Sequence, residues 1–243
     1  MANSENNPGN ANLPIGGGKE ANQEIGVPGT KWHSRGYLPH FESSAAIQHV
    51  TFHLADSLPR TTLLQIEAEL KNFPVVKPDV ERRKQVEAWI DAGHGTCFLQ
   101  NPAIAAMVEA SLLTFDSLRC RLLAWVVMPN HVHVLFQPFD GWTVAEIVAT
   151  WKKFTARKIC DYRRDGSEGP VAPVWHREYW DRFIRNERHF EQAVEYIHLN
   201  PVKAGLVSMA EEWRWSSAYS GGAGIKRQNL TPPIGRLASP GRS

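Results

Sequence analysis

Between residues 46 and 54 (AIQHVTFHL), Val50, Phe52 and Leu54 alternate with other positions, the period of a strand with one buried face. Residues 61–92 read as helices interrupted around Pro74 and Pro78, and residues 102–115 as a further helix, with Ile104, Met107, Val108 and Leu112 at helical spacing. The segments 119–128 (RCRLLAWVVM) and 131–136 (HVHVLF) are strand-like, and only Pro129 and Asn130 separate them, which predicts an antiparallel hairpin. Residues 142–164 return to a helical period, with Ile147, Trp151 and Phe154 at i, i+4 and i+7. Asn186 or a neighbour should cap a last helix running to about Leu199, ended by Pro201 and Gly205. The expected fold class is α+β: a ferredoxin-like antiparallel sheet with helices packed on one face.

Composition sets the ends of this domain. Residues 1–31 are rich in Asn, Gly, Glu and Pro, bury too little apolar surface to order themselves, and are expected to form a disordered tail. Residues 221–243 carry Lys226, Arg227, Arg236 and Arg242 with no acid and are expected to be a flexible basic tail, leaving 32–220 as one domain. Cys97, Cys120 and Cys160 are odd in number and far apart, which argues against disulfides or a thiolate zinc site. No run of about eighteen apolar residues and no leader pattern are present, so a soluble, intracellular protein with no membrane contact is expected. The segment 61–92 offers no nameable chemistry.

A net charge of +2 identifies no partner, but its distribution is informative. Lys152, Lys153, Arg157, Lys158, Arg163 and Arg164 face one acid, Asp161, with Trp151, Phe154 and Tyr162 interleaved. Such a helix either tracks a phosphate backbone or is a solvated face with buried aromatics; Lys152, Lys153, Arg157 and Lys158 are the candidate DNA contacts. In His131-Val132-His133 the imidazoles leave one face of a strand, roughly 7 Å apart at Cα, close enough to share a cation; the alternative is two surface histidines. On the last helix Phe190, Ala193, Val194 and Ile197 form the packing stripe. Tyr196 and Asn200 lie one turn apart on its flank, as a nucleophile and third ligand or as a packing residue and a helix cap.

Residues 125–135 (WVVMPNHVHVL) and 196–207 (YIHLNPVKAGLV), with RGYLPH at 35–40, LADSLP at 54–59 and WHREYWDR at 175–182, resemble the REP-associated tyrosine transposases of the single-tyrosine HUH superfamily. The resemblance covers about residues 35–217. It implies an HUH endonuclease fold, a catalytic tyrosine at Tyr196, and a metal site of His131, His133 and Asn200. Tyr179 is the rival nucleophile but has no polar partner one turn on. The implied activity is nicking and strand transfer on single-stranded DNA beside hairpin-forming palindromes, through a 5′-phosphotyrosine, in the cytoplasm at the nucleoid. Mg²⁺ or Mn²⁺ fits the phosphate chemistry and the mixed donor set, with Zn²⁺ as the competing ion. A monomer is expected, with a dimer as the alternative. Two other functions are kept open: a domesticated, catalytically silent single-stranded or hairpin DNA-binding protein, and a metal-dependent phosphoesterase using water.

Overall fold

A computed structural model describes residues 31–34, 39–42, 46–72, 78–166 and 173–221. Two short strands, β1 (Lys31–Ser34) and β2 (Pro39–Glu42), pair with each other. The remaining elements are β3 (Gln48–His53), α1 (Arg60–Asn72), α2 (Pro78–Asp91), α3 (Pro102–Thr114), β4 (Cys120–Val127), β5 (His131–Pro138), α4 (Val144–Asp165), β6 (Trp180–Phe183) and α5 (Glu187–Lys203). The main sheet runs β4-β5-β3-β6 and every neighbouring pair is antiparallel. Each pair of strands joined through helices, β3 to β4 and β5 to β6, is split by a strand between them, which is the ferredoxin-like arrangement expected.

The hairpin forms where Pro129-Asn130 placed it: Val127 sits opposite Val132, and the Met128 N–H donates to the His131 carbonyl at 2.8 Å. Val50, Phe52 and Leu54 join Val132, Val134 and Phe136 on one face of the sheet. They pack there against Ile104, Val108 and Leu112 of α3 and Ile147, Val148 and Trp151 of α4. Ala124, Val126 and Leu135 emerge on the other face, under Phe190, Ala193 and Ile197 of α5. The crossover helices α3 and α4 therefore share a face as expected, whereas α5 covers the opposite one. The reason lies in β5, where all six residues from His131 to Phe136 are buried: a strand apolar or packed on both sides needs cover on both. Burying Phe190 and Ile197 contributes on the order of 1.5–3 kcal/mol each. Leu58, Ile66, Val86 and Ile90 make a third cluster around Trp180 of β6, holding α1 and α2 to the sheet. Trp180 stands opposite Thr51, so this cluster lies on the α5 side.

Several boundaries differ from the expectation. Pro201 does not end α5 but lies inside it; the helix runs on to Lys203, with Ala204 N–H donating to Asn200 and Leu206 N–H to Pro201. Proline costs an interior helix one bond, and here the next turn closes around it before Gly205, at φ +70, ends the run. The strands β1, β2 and β6 were not anticipated, since four residues are too few to show a period. Residues 213–217 lie along the free edge of β4, with Val127 N–H donating to Trp215 (2.8 Å) and Ser217 N–H to Trp125 (3.0 Å). The expected tails fall outside the described residues apart from Lys31 and Gly221, as do Tyr37 and its motif up to Leu38. Among the described residues no helix is long and apolar enough to cross a membrane.

Candidate active site

His131 and His133 leave β5 on the α5 side of the sheet and are fully buried beneath α2 and α5. Their Nε2 atoms approach to 3.0 Å. The orientation of His131 follows from its neighbour. Asn130 Nδ2 donates to the carbonyls of Ile90 (2.9 Å) and His94 (3.0 Å), so its Oδ1 is the atom facing His131 Nδ1 at 2.7 Å. An amide oxygen only accepts; His131 Nδ1 therefore carries the proton, and its Nε2 presents a lone pair. His133 Nδ1 has Thr51 Oγ1 at 2.8 Å, from the residue directly opposite on β3. Burial, and then the charge of His133, hold His131 well below the ordinary histidine range.

Three other groups close on the histidines. Asp91, the last residue of α2, places Oδ1 3.3 Å from His131 Nε2 and 3.5 Å from His133 Nε2. Its Oδ2 accepts from the Tyr196 hydroxyl at 2.7 Å. Asn200, buried one turn beyond Tyr196, has Nδ2 3.3 Å from His133 Nε2. The two residues singled out on the flank of the last helix thus do meet the two histidines of the hairpin. The rings of His49 and His133 lie 5.8 and 5.2 Å from that of Tyr196. Lys203 sets its ammonium 5.1 Å over the tyrosine ring.

Burial alone would raise the Asp91 carboxyl, but the facing imidazoles of His133 and then His131, with the hydrogen bond from Tyr196, hold it well below the usual carboxylate range. The Tyr196 phenol moves the other way: burial, then the charge and hydrogen bond of Asp91, push it above its ordinary value. A carboxylate oxygen and two imidazole nitrogens within a few ångströms repel one another unless a proton or cation lies among them. Asp91 Oδ1 and Asn200 Oδ1 are moreover buried without a hydrogen-bond donor. Among the described residues Asp91, His131 and His133 form the one His/Asp group with metal-like spacing. The donor set fits a divalent cation, two nitrogens and a carboxylate with an amide oxygen within a bond rotation.

Asp91 is the residue that the sequence reading missed, in a segment given no chemistry. One signal was available. A carboxylate in the last turn of a helix opposes the macrodipole, and α2 carries no base in that turn.

The other candidates are dispersed. Because α4 packs on the α3 side, its exposed Lys153, Arg157 and Lys158 lie across the sheet from Tyr196. Lys152 donates to the carbonyls of His176 (2.7 Å) and Arg177 (2.8 Å), and burial brings its ammonium down to about 8. It ties the chain before β6 to α4. Tyr179 is buried in the α3–α4 core, on the wrong face for the histidines. His176 stacks on His53 at 4.5 Å, and His198 pairs with Ser217 at 2.8 Å. The cysteines are free.

Compared with known proteins, residues 100–200 match the family described as Transposase IS200 like. A REP-associated tyrosine transposase of Escherichia coli strain K12 is 30% identical over 104 residues, 40% of this chain and 53% of its own. A Haemophilus influenzae protein is 30% identical over 102 residues, 40% of this chain and 58% of its own. The chain thus spans little more than half the length of these relatives. A solved REP-associated tyrosine transposase bound to a REP hairpin aligns over 76% of this chain and 80% of its own, at 19% identity and a TM-score of 0.44. The resemblance read from the motifs is borne out: over residues 100–200, which carry His131, His133, Tyr196 and Asn200, the chain is similar to the IS200-like transposases.

Proposed function

We propose that this chain nicks single-stranded DNA beside a hairpin and rejoins it through a phosphotyrosine at Tyr196. The observation that carries the reading is the bridge made by Asp91, whose two oxygens face the paired histidines and the tyrosine hydroxyl. His131, His133 and Asp91, with Asn200, would hold the cation, Mg²⁺ or Mn²⁺. Bound there, it would offset the Asp91 charge that opposes ionisation of the phenol and draw electron density from the scissile phosphate.

The chain's own groups supply the rest. Asp91 Oδ2 fixes the hydroxyl and receives its hydrogen, while His49 and His133 wall the ring. Tyr196 Oη then attacks phosphorus; the new bond is Oη–P, the bond broken is P–O3′, and the departing oxygen takes a proton to become a free 3′-hydroxyl. Lys203, exposed beside the ring, gives the phosphate a positive partner. Because one phosphoester replaces another, a second 3′-hydroxyl can reverse the step, and cutting and joining are one chemistry.

The test uses a labelled hairpin oligonucleotide with single-stranded flanks, Mn²⁺ and a denaturing gel. A covalent protein–DNA band is expected from the wild type and none from Tyr196→Phe, which should still bind the oligonucleotide within a few fold. An adduct formed by Tyr196→Phe would overturn the assignment, and cleavage without any adduct would replace the tyrosine with water as the nucleophile.

A further inference from the structure

We propose that the cavity between the loop after α2 and the end of α4 takes one unpaired nucleotide of the DNA strand that Tyr196 cuts, a reading that rests on the strand-cutting function above. The cavity is about 370 Å³ and is lined by Thr96, Phe98, Gln100, Asn101, Ile104 and Arg163. That volume is near the lower end of the roughly 300–1,000 Å³ of small-molecule sites, the scale of one nucleotide rather than of a peptide or duplex.

Its place ties it to the active site. Four loop residues, 92–95, separate Asp91 from Thr96. The same loop is fixed to the turn that precedes His131, through Asn130 on Ile90 and His94 and through Leu99 N–H on the Pro129 carbonyl at 3.1 Å. The metal-binding group and the cavity therefore lie at one end of the sheet, on its two faces, and a strand leaving the first can cross that end to the second.

The lining suits a base and its phosphate. The Arg163 guanidinium lies 5.3 Å over the Phe98 ring, so the aromatic backs a planar cation that can stack on a base or pair with a phosphate. Ile104 supplies an apolar floor. Asn101 is occupied as the cap of α3, its Oδ1 accepting from Ala103 at 2.9 Å. Gln100 and Thr96 are exposed at the cavity and offer the amide and hydroxyl with which a base edge is read. Between Thr96 and Phe98, Cys97 is held at φ 51, a left-handed conformation that a non-glycine residue adopts only when its surroundings impose it.

The experiment measures binding of the full chain, without added divalent cation, to a hairpin oligonucleotide in which each single-stranded flank position is made abasic in turn. Wild type is expected to lose about tenfold in affinity at one flank position, the scale of one stacked base. Gln100→Ala, and separately Thr96→Trp, which obstructs the cavity, should bind the intact oligonucleotide more weakly and respond little to that abasic position. Both changes are at exposed positions, and circular dichroism and melting confirm the fold. A flat abasic profile in wild type, or an unchanged profile in both variants, overturns the proposal. If adducts form with Mn²⁺ while the profile is flat, the cavity fails and the strand-cutting reading stands. If no adduct forms but the position-specific loss disappears in the variants, the cavity stands and the cutting chemistry fails. Absence of any DNA binding overturns both.

Discussion

The side-chain nitrogen of Asn130 rests on two carbonyls at the end of α2 and its oxygen on His131. One amide thus sets both the tautomer of a candidate histidine ligand and the position of the helix that delivers Asp91. Asn130→Ala frees His131 to rotate, removes the side-chain donor that the Ile90 and His94 carbonyls share, and should lower Mn²⁺ affinity by roughly 10–100-fold in a calorimetric titration. An unchanged affinity would show that packing alone orients the imidazole. His53 makes a different prediction. It is fully buried against His176, and burial, then the charge of that neighbour, bring it from 6.5 to about 3. The folded protein keeps it neutral where the unfolded chain binds a proton. Its contribution to stability is therefore intact above about pH 6.5 and is lost as pH falls towards 3, amounting to roughly 2–3 kcal/mol by pH 4.5. Urea unfolding of wild type and His53→Gln at pH 7 and 4.5 checks this: the wild type should lose more stability on acidification than the variant.

Helix α4 shows how a local signal becomes an element. Thr143 Oγ1 accepts from Glu146 N–H at 3.2 Å, and Glu146 Oε2 accepts from Thr143 N–H at 3.0 Å, a reciprocal cap at the point where the 3.6-residue period begins. Thr143→Ala should cost about 1 kcal/mol, read as a lower urea midpoint with an unchanged slope. The same distinction explains what the sequence made legible. The β4–β5 hairpin, the cap at Asn186 and the pairing of Tyr196 with Asn200 all depend on residues within a turn or two of each other. The faces of the sheet were less legible, because β5 is buried on both sides and its pattern does not say which helix covers which. Asp91 was hidden because its partners are 40 residues and more away, and nothing between Thr61 and Ala92 repeats at a spacing that chemistry requires. Lys152 read as a DNA contact with its neighbours; burial and two backbone carbonyls, neither visible in a charge pattern, occupy it instead.

For the molecule as a whole, the candidate ligands come from α2, β5 and α5, three elements that meet only in the folded state. A cation held by them binds the native chain and not the unfolded one, so it should raise the melting temperature. At about a hundred times its dissociation constant the gain is roughly 2.7 kcal/mol, or on the order of 5–10 °C for a domain of this size. Thermal scans with and without Mn²⁺ should show that rise in wild type and its loss in His131→Ala, His133→Ala and Asp91→Asn. A rise that persists in all three would place the cation elsewhere.

Residues 213–217, laid along β4, bear on a separate matter. A sheet whose outer strand offers a free row of amides and carbonyls invites a second copy to extend it. Here Trp215 and Ser217 occupy that row at Trp125 and Val127, and the Trp213 indole donates to the Val127 carbonyl at 3.0 Å. The chain thereby closes this stretch of its own edge, and a neighbouring molecule seeking to join sheet to sheet there would first have to strip off a segment anchored by its own tryptophans.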